Sequence, residues 1–150
     1  RKLSSASGQP ASLPSSTMRD ALAPLAANPR LDICICDLES DATWPFACKK
    51  FDAVLVTNYL FRPKLAALFG LVVEGGYLVY ETFAVGNAAF GRPKNPDFLL
   101  HEGELANALP AGFDIIDTFH GFVSDPQPAV IQRLAARRVD SSHQTSKSPV

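Results

Sequence analysis

Two stretches of this chain run apolar and then stop abruptly at polar residues. The first goes from Phe51 through Ala53, Val54, Leu55 and Val56 to Thr57, Asn58 and Tyr59. The second follows Glu74, Gly75 and Gly76 with Tyr77, Leu78, Val79 and Tyr80, and ends at Glu81, Thr82 and Phe83. Short β-branched and aromatic runs with polar carboxyl ends predict parallel strands buried on both faces. Between them, Pro63 opens a segment with apolar residues at Leu65, Leu68, Phe69 and Val72. That spacing predicts a helix with proline in its first turn. Strand, helix and strand make one right-handed βαβ unit. In such a sheet the polar strand ends, Thr57-Asn58-Tyr59 and Glu81-Thr82, face the ligand crevice.

The flanking pattern extends this unit. Residues 1–17 are rich in Ser, Ala and Pro and predict a disordered leader, followed by a folded region over 18–138. Arg19–Asn28 has helical composition that Pro24 interrupts, so the helix is short or begins near that proline. Leu31–Cys36 alternates as a strand and runs into Asp37, Leu38 and Glu39. Ala84–His101 is dense in Gly, Pro and Asn and predicts a long irregular loop, of the kind used as a lid or binding loop. Glu102–Leu109 predicts a short helix closed by Pro110. Phe113–Val123 and Pro128–Arg138 flank a short turn at Ser124–Gln127 and predict an antiparallel hairpin. The polar stretch 139–150 predicts a disordered tail.

Bulk properties narrow the function classes. The 150 residues suit one domain, and 14 basic against 15 acidic residues give a net charge of −1. No basic face supports nucleic-acid or membrane-surface binding. No apolar run reaches the roughly 20 residues that span a bilayer. Three cysteines, an odd number, argue against a disulfide framework and fit a reducing cytoplasm. Cys34 and Cys36 read as small buried hydrophobes, and His101, His120 and His143 show no ligand spacing, so no metal is assigned. Phe83, Phe90 and Phe98 read as core and loop anchors.

A helix, a strand, a βαβ unit, a helix and a closing antiparallel hairpin, in that order, resemble the class I S-adenosylmethionine-dependent methyltransferase fold. Asp37-Leu38 after its strand looks like that family's adenine-recognition position, and Asn58-Tyr59 like the strand end beside the methionyl part of the cofactor. Glu74-Gly75-Gly76 resembles the turn before the family's fifth strand. Glu81-Thr82-Phe83 and Gly91–Leu100 are similar to a bacterial subgroup related to the tellurite-resistance-type enzymes.

The resemblance spans about residues 19–138 and implies S-adenosyl-L-methionine as cofactor, held by Asp37, Leu38, Asn58 and Tyr59. It implies a small-molecule methyl acceptor near Glu81, Arg92 and His101, with Arg92 able to clamp an anion and His101 placed as a base or a capping residue. The family's glycine loop and ribose acid have no counterpart, Ser5–Gly8 being at most an echo, so the fold is expected to be amino-terminally incomplete. Two function classes follow: an impaired methyltransferase, or a non-catalytic remnant serving as an interaction module. The closing hairpin disfavours an ordinary dehydrogenase domain. In the family the Leu31–Cys36 strand lies apart from Phe51–Thr57, and with the intervening strands lacking the two are expected to pair directly or leave a sticky edge. The strands at Phe51, Tyr77, Val130 and Ile115 are expected to form one contiguous group.

Overall fold

The computed structural model describes residues 5–6 and 16–140, with side chains from residue 20 onward. Its core is a mixed sheet of five strands in the order β1-β2-β3-β5-β4. These are β1 (Ser5–Ala6), β2 (Phe51–Thr57), β3 (Val72–Phe83), β4 (Phe113–Val123) and β5 (Ala129–Arg138). β2 and β3 pair in parallel, with Val54 beside Leu78 and Thr57 beside Glu81. β5 runs antiparallel between β3 and β4, so the βαβ unit and the closing hairpin merge into the contiguous group that the sequence predicts. This is a Rossmann-like α/β sheet with a terminal antiparallel hairpin.

The crossover between β2 and β3 is shorter than the pattern suggests. A 3-10 turn at Arg62–Lys64 leads into α2 (Leu65–Phe69), whose Leu65, Leu68 and Phe69 are buried. Gly70 caps it, and the chain re-enters the sheet at Val72. Gly75 sits at φ 75°, and a Cβ on Gly76 would lie 2.8 Å from the Asp52 carbonyl. The glycine pair therefore permits β3 to approach β2 where the register shifts between Phe51 and Ala53.

The buried face of the sheet carries Val54, Val56, Leu78, Tyr80, Leu134 and Ala136, packed with α2, Trp44 and Leu105 of α3 (Glu104–Ala108). The opposite face is open. Leu55, Tyr77, Val79 and Phe119 are between 37% and 48% exposed there. The expectation that β2 is buried on both faces is therefore wrong for this chain. Among the described residues no helix lies over the second face, and alternate positions of β2 show it.

The Leu31–Cys36 strand is also absent. These residues form no ladder, and Ile33 and Ile35 are exposed. A strand is defined by its partner, and here β2's free edge is taken at Leu55 and Val56 by β1. Direct pairing of Leu31–Cys36 with Phe51–Thr57 is thereby corrected. Cys34, Cys36 and Cys48 are exposed thiols, not buried hydrophobes.

Pro24 does not stop its helix, because α1 runs Ser16–Ala26 and carries the proline in its interior. The loss of one amide donor close to the end is tolerated, and the helix terminates two residues later. The leader and tail expectations fall mostly outside the described residues, although Ser5–Ala6 and Ser16 lie in elements, and Val139 donates its amide to Gly112.

Ala84–His101 is more regular than its composition implies. It holds 3-10 turns at Asn87–Ala89 and Pro96–Phe98 and a bridge between Ala84 and Leu100. Buried Asn87 ties it to the sheet by accepting from the Val130 amide (3.1 Å) and donating to the Pro93 carbonyl (3.4 Å). Phe90 is no core anchor, since it is half exposed with its ring centroid 5.0 Å from that of Phe122.

Candidate functional site

The polar strand ends converge at the carboxyl edge of the parallel pair. Asn58 follows β2 at φ 53°, in the left-handed region that asparagine tolerates better than most side chains. Its amide donates to the Glu81 carbonyl (3.0 Å), so the two predicted residues are neighbours on adjacent strand ends. Backbone held in this region at a strand end is a common mark of a functional site.

The next residue turns inward. Tyr59 is 1% exposed, and its hydroxyl donates to the Leu38 carbonyl (3.3 Å). Trp44 donates its indole N–H to the same carbonyl (3.1 Å), and Lys64 lies over the Trp44 ring. The Tyr80 hydroxyl donates to the Tyr59 carbonyl (2.6 Å), which fixes the turn from beneath. Burial, followed by the charges of Glu39 and Asp37, pushes the Tyr59 phenol far up, so it remains a donor. Burial likewise raises Tyr80.

Thus the structure brings Leu38 against Tyr59, with Asp37 close enough for its charge to act on that phenol. Asp37 is exposed, accepts the Glu39 amide (2.9 Å) through Oδ1, and gives its carbonyl to Ser40 Oγ (3.1 Å). This local turn presents the carboxylate outward. Burial and then Asp37 raise Glu39 above the usual carboxylate range. An apolar cavity of about 20 Å³ lies below Leu38, lined by Trp44, Phe46, Val54, Val56 and Leu68 among others. It is a packing gap of roughly one water's size, not a nucleoside pocket.

The predicted acceptor residues are dispersed. Glu81 pairs with Arg133 on β5, Oε2 to guanidinium nitrogen 2.6 Å, on the open face. Arg92 is an exposed loop residue before Pro93. His101 has an exposed side chain and works through its backbone. Its amide donates to Glu104 Oε2 (2.9 Å), and its carbonyl accepts from Gln132 Nε2 (2.8 Å).

Residues that pattern reading passes over hold this end together. Arg62 donates to both Glu104 oxygens (2.5 and 3.0 Å) and to the carbonyls of Asp97 (2.7 Å) and Leu99 (3.0 Å). The Arg62 hydrogen bond is the main reason that Glu104 is held below the usual carboxylate range. Buried Gln132 accepts the Leu105 amide (2.9 Å) and lies 3.1 Å from His120 Nδ1. A glutamine that alternates with the inward residues Leu134 and Ala136 of β5 is the one sequence signal that could have exposed this network.

No family profile matches the chain, and no curated protein matches it. Solved structures do match in fold. TehB from Haemophilus influenzae superposes with TM-score 0.55 at 13% identity, over 81% of this chain and 45% of its own. The N-methyltransferase NodS from Bradyrhizobium japonicum WM9 gives 0.57 at 12%, over 84% of this chain and 70% of its own. A 16S rRNA (adenine(1408)-N(1))-methyltransferase from Catenulisporales acidiphilia gives 0.54 at 18%, over 85% of this chain and 71% of its own. The chain thus spans less than half the length of TehB.

Proposed function

We propose that this chain carries one side of an S-adenosyl-L-methionine site and belongs functionally with methyltransferases acting on small molecules, with weakened cofactor binding. The observation that carries this reading is the strand-end cluster, in which left-handed Asn58 lies beside Glu81 while Leu38 is pinned to Tyr59 with Asp37 facing outward. An outward carboxylate suits an exocyclic amine, and the polar end of β2 suits the methionyl moiety. Tyr59 acts by holding Leu38, not by touching ligand.

The cofactor's contribution is a sulfonium methyl. The protein's task is to hold the acceptor in line with it, which is chiefly positioning. Glu81, Arg92 and His101 border the acceptor side in this reading. Near-neutral charge favours a small acceptor over nucleic acid. Three exposed thiols suit a reducing cytoplasm.

Isothermal titration with S-adenosylhomocysteine tests the proposal. Heat that Asp37→Ala abolishes, with an unchanged circular dichroism spectrum, is the expected outcome. No heat at about 1 mM ligand would remove the enzymatic reading and leave the non-catalytic interaction module, which the open sheet face favours.

A further inference from the structure

β4 lies at one margin of the sheet, and among the described residues only one of its edges is paired. It spans Phe113–Val123, and its residues are exposed or only partly buried on both faces. Ile115, Ile116, Phe119 and Phe122 are 48%, 59%, 37% and 53% exposed. Edge strands are normally protected by lysine, proline, short length or a covering element. β4 has eleven residues and contains neither lysine nor proline. Its one interruption is the register shift between Ile115 and Asp117. From Asp117 to Val123 the ladder with β5 is unbroken, so the free edge of those residues is a regular template.

We propose that this edge pairs antiparallel with the same edge of a second copy of the chain, making one continuous sheet across a two-fold axis. A strand pairing antiparallel with itself is the isologous solution, in which residue i meets j and j meets i. The side chains are compatible with this. A register centred on His120 sets Asp117 opposite Val123, Thr118 opposite Phe122 and Phe119 opposite Gly121. No carboxylate meets a carboxylate, and an aromatic ring covers a glycine in each half. Thr118–Val123 carries no Asp, Glu, Lys or Arg, so nothing in it selects a charged foreign peptide.

The surroundings extend the seam on both faces. On one, Phe122 lies against Phe90, and both rings are about half exposed. On the other, Arg133 lies over the Phe119 ring, which lets the aromatic be buried while the cation stays at the rim. Self-pairing thus covers apolar side chains that one copy leaves in water, and it satisfies the backbone groups of the edge in the same step.

Sedimentation velocity from about 1 to about 500 µM, with amide hydrogen exchange at both ends of that range, tests the proposal. The expected result is a monomer–dimer equilibrium in which alternate amides of Asp117–Val123 gain protection only at dimeric concentrations. Phe122→Lys should weaken association roughly tenfold or more. A monomer throughout would overturn the proposal. So would a dimer whose β4 amides stay unprotected, since its contact would then lie on the open sheet face. The exchange measurement on the unmodified chain keeps the test decisive even if the lysine variant fails to fold.

Discussion

Leu31–Cys36 and Phe51–Thr57 are both short apolar stretches with an aspartate at the second position, yet one is exposed coil and the other lies within the sheet. Ile33 and Ile35 are open to solvent, whereas Val54 and Val56 are 5% and 0% exposed. The difference lies in neighbours. β2 has β3 along one edge, α2 beneath it and two residues of β1 on its other edge. Alternation states which side chains would share a face, and it does not supply the adjacent strand that makes the face exist.

The sharpest way to break this comparison is to truncate one apolar residue of Leu31–Cys36 and one in β3 at the position beside Val54, where the neighbour of Phe51–Thr57 packs. Leu78→Ala, at a position with no exposure, should cost about 2–5 kcal/mol in urea unfolding. Ile35→Ala should change stability by no more than about 0.5 kcal/mol. Equal costs would mean that Leu31–Cys36 is packed in solution after all.

A smaller effect is expected where the loop after Ala84 is clamped to the sheet. Arg62→Ala should cost about 1 kcal/mol at neutral pH, a figure kept low because the ion pair is partly exposed. The sign of its pH dependence follows from Glu104, whose carboxyl is held low chiefly by Arg62. That contribution is complete above the ordinary glutamate value and is lost as pH falls through the lowered one. The gap between wild type and variant should therefore narrow on acidification to about pH 3. A gap that widens in acid would show that the pair is not the source of the stability.

The smallest effect concerns the junction of the two regions. Tyr59→Phe leaves the Leu38 carbonyl with Trp44 alone and should cost about 0.5–1 kcal/mol. Limited proteolysis should then cut faster within 31–43 while leaving the sheet intact. Faster cutting within β3 instead would place the damage in the core.

What was legible in the sequence was local or close to it. The βαβ unit joins elements a few residues apart, and the hairpin closes through Ser124–Gln127, so their patterns contain their own partners. Asn58 and Glu81 were legible as polar residues after apolar runs. The clamp made by Arg62 was not, because its partners Asp97, Leu99 and Glu104 lie 35 to 42 positions away and no periodicity links them. Asn87 was hidden for the same reason, its partner Val130 lying 43 positions away. The strand expected at Leu31–Cys36 failed in the converse way, since its pattern was clear and its partner lay elsewhere.

Trp44 is the sole tryptophan, 6% exposed, with its indole N–H on the Leu38 carbonyl and Lys64 above its ring. Its emission therefore reports on the seam between the amino region and the sheet, while far-ultraviolet ellipticity reports on the strands. If the seam opens ahead of the sheet, the two optical signals part company during unfolding, and fluorescence alone would record a midpoint that belongs to a latch and not to the fold.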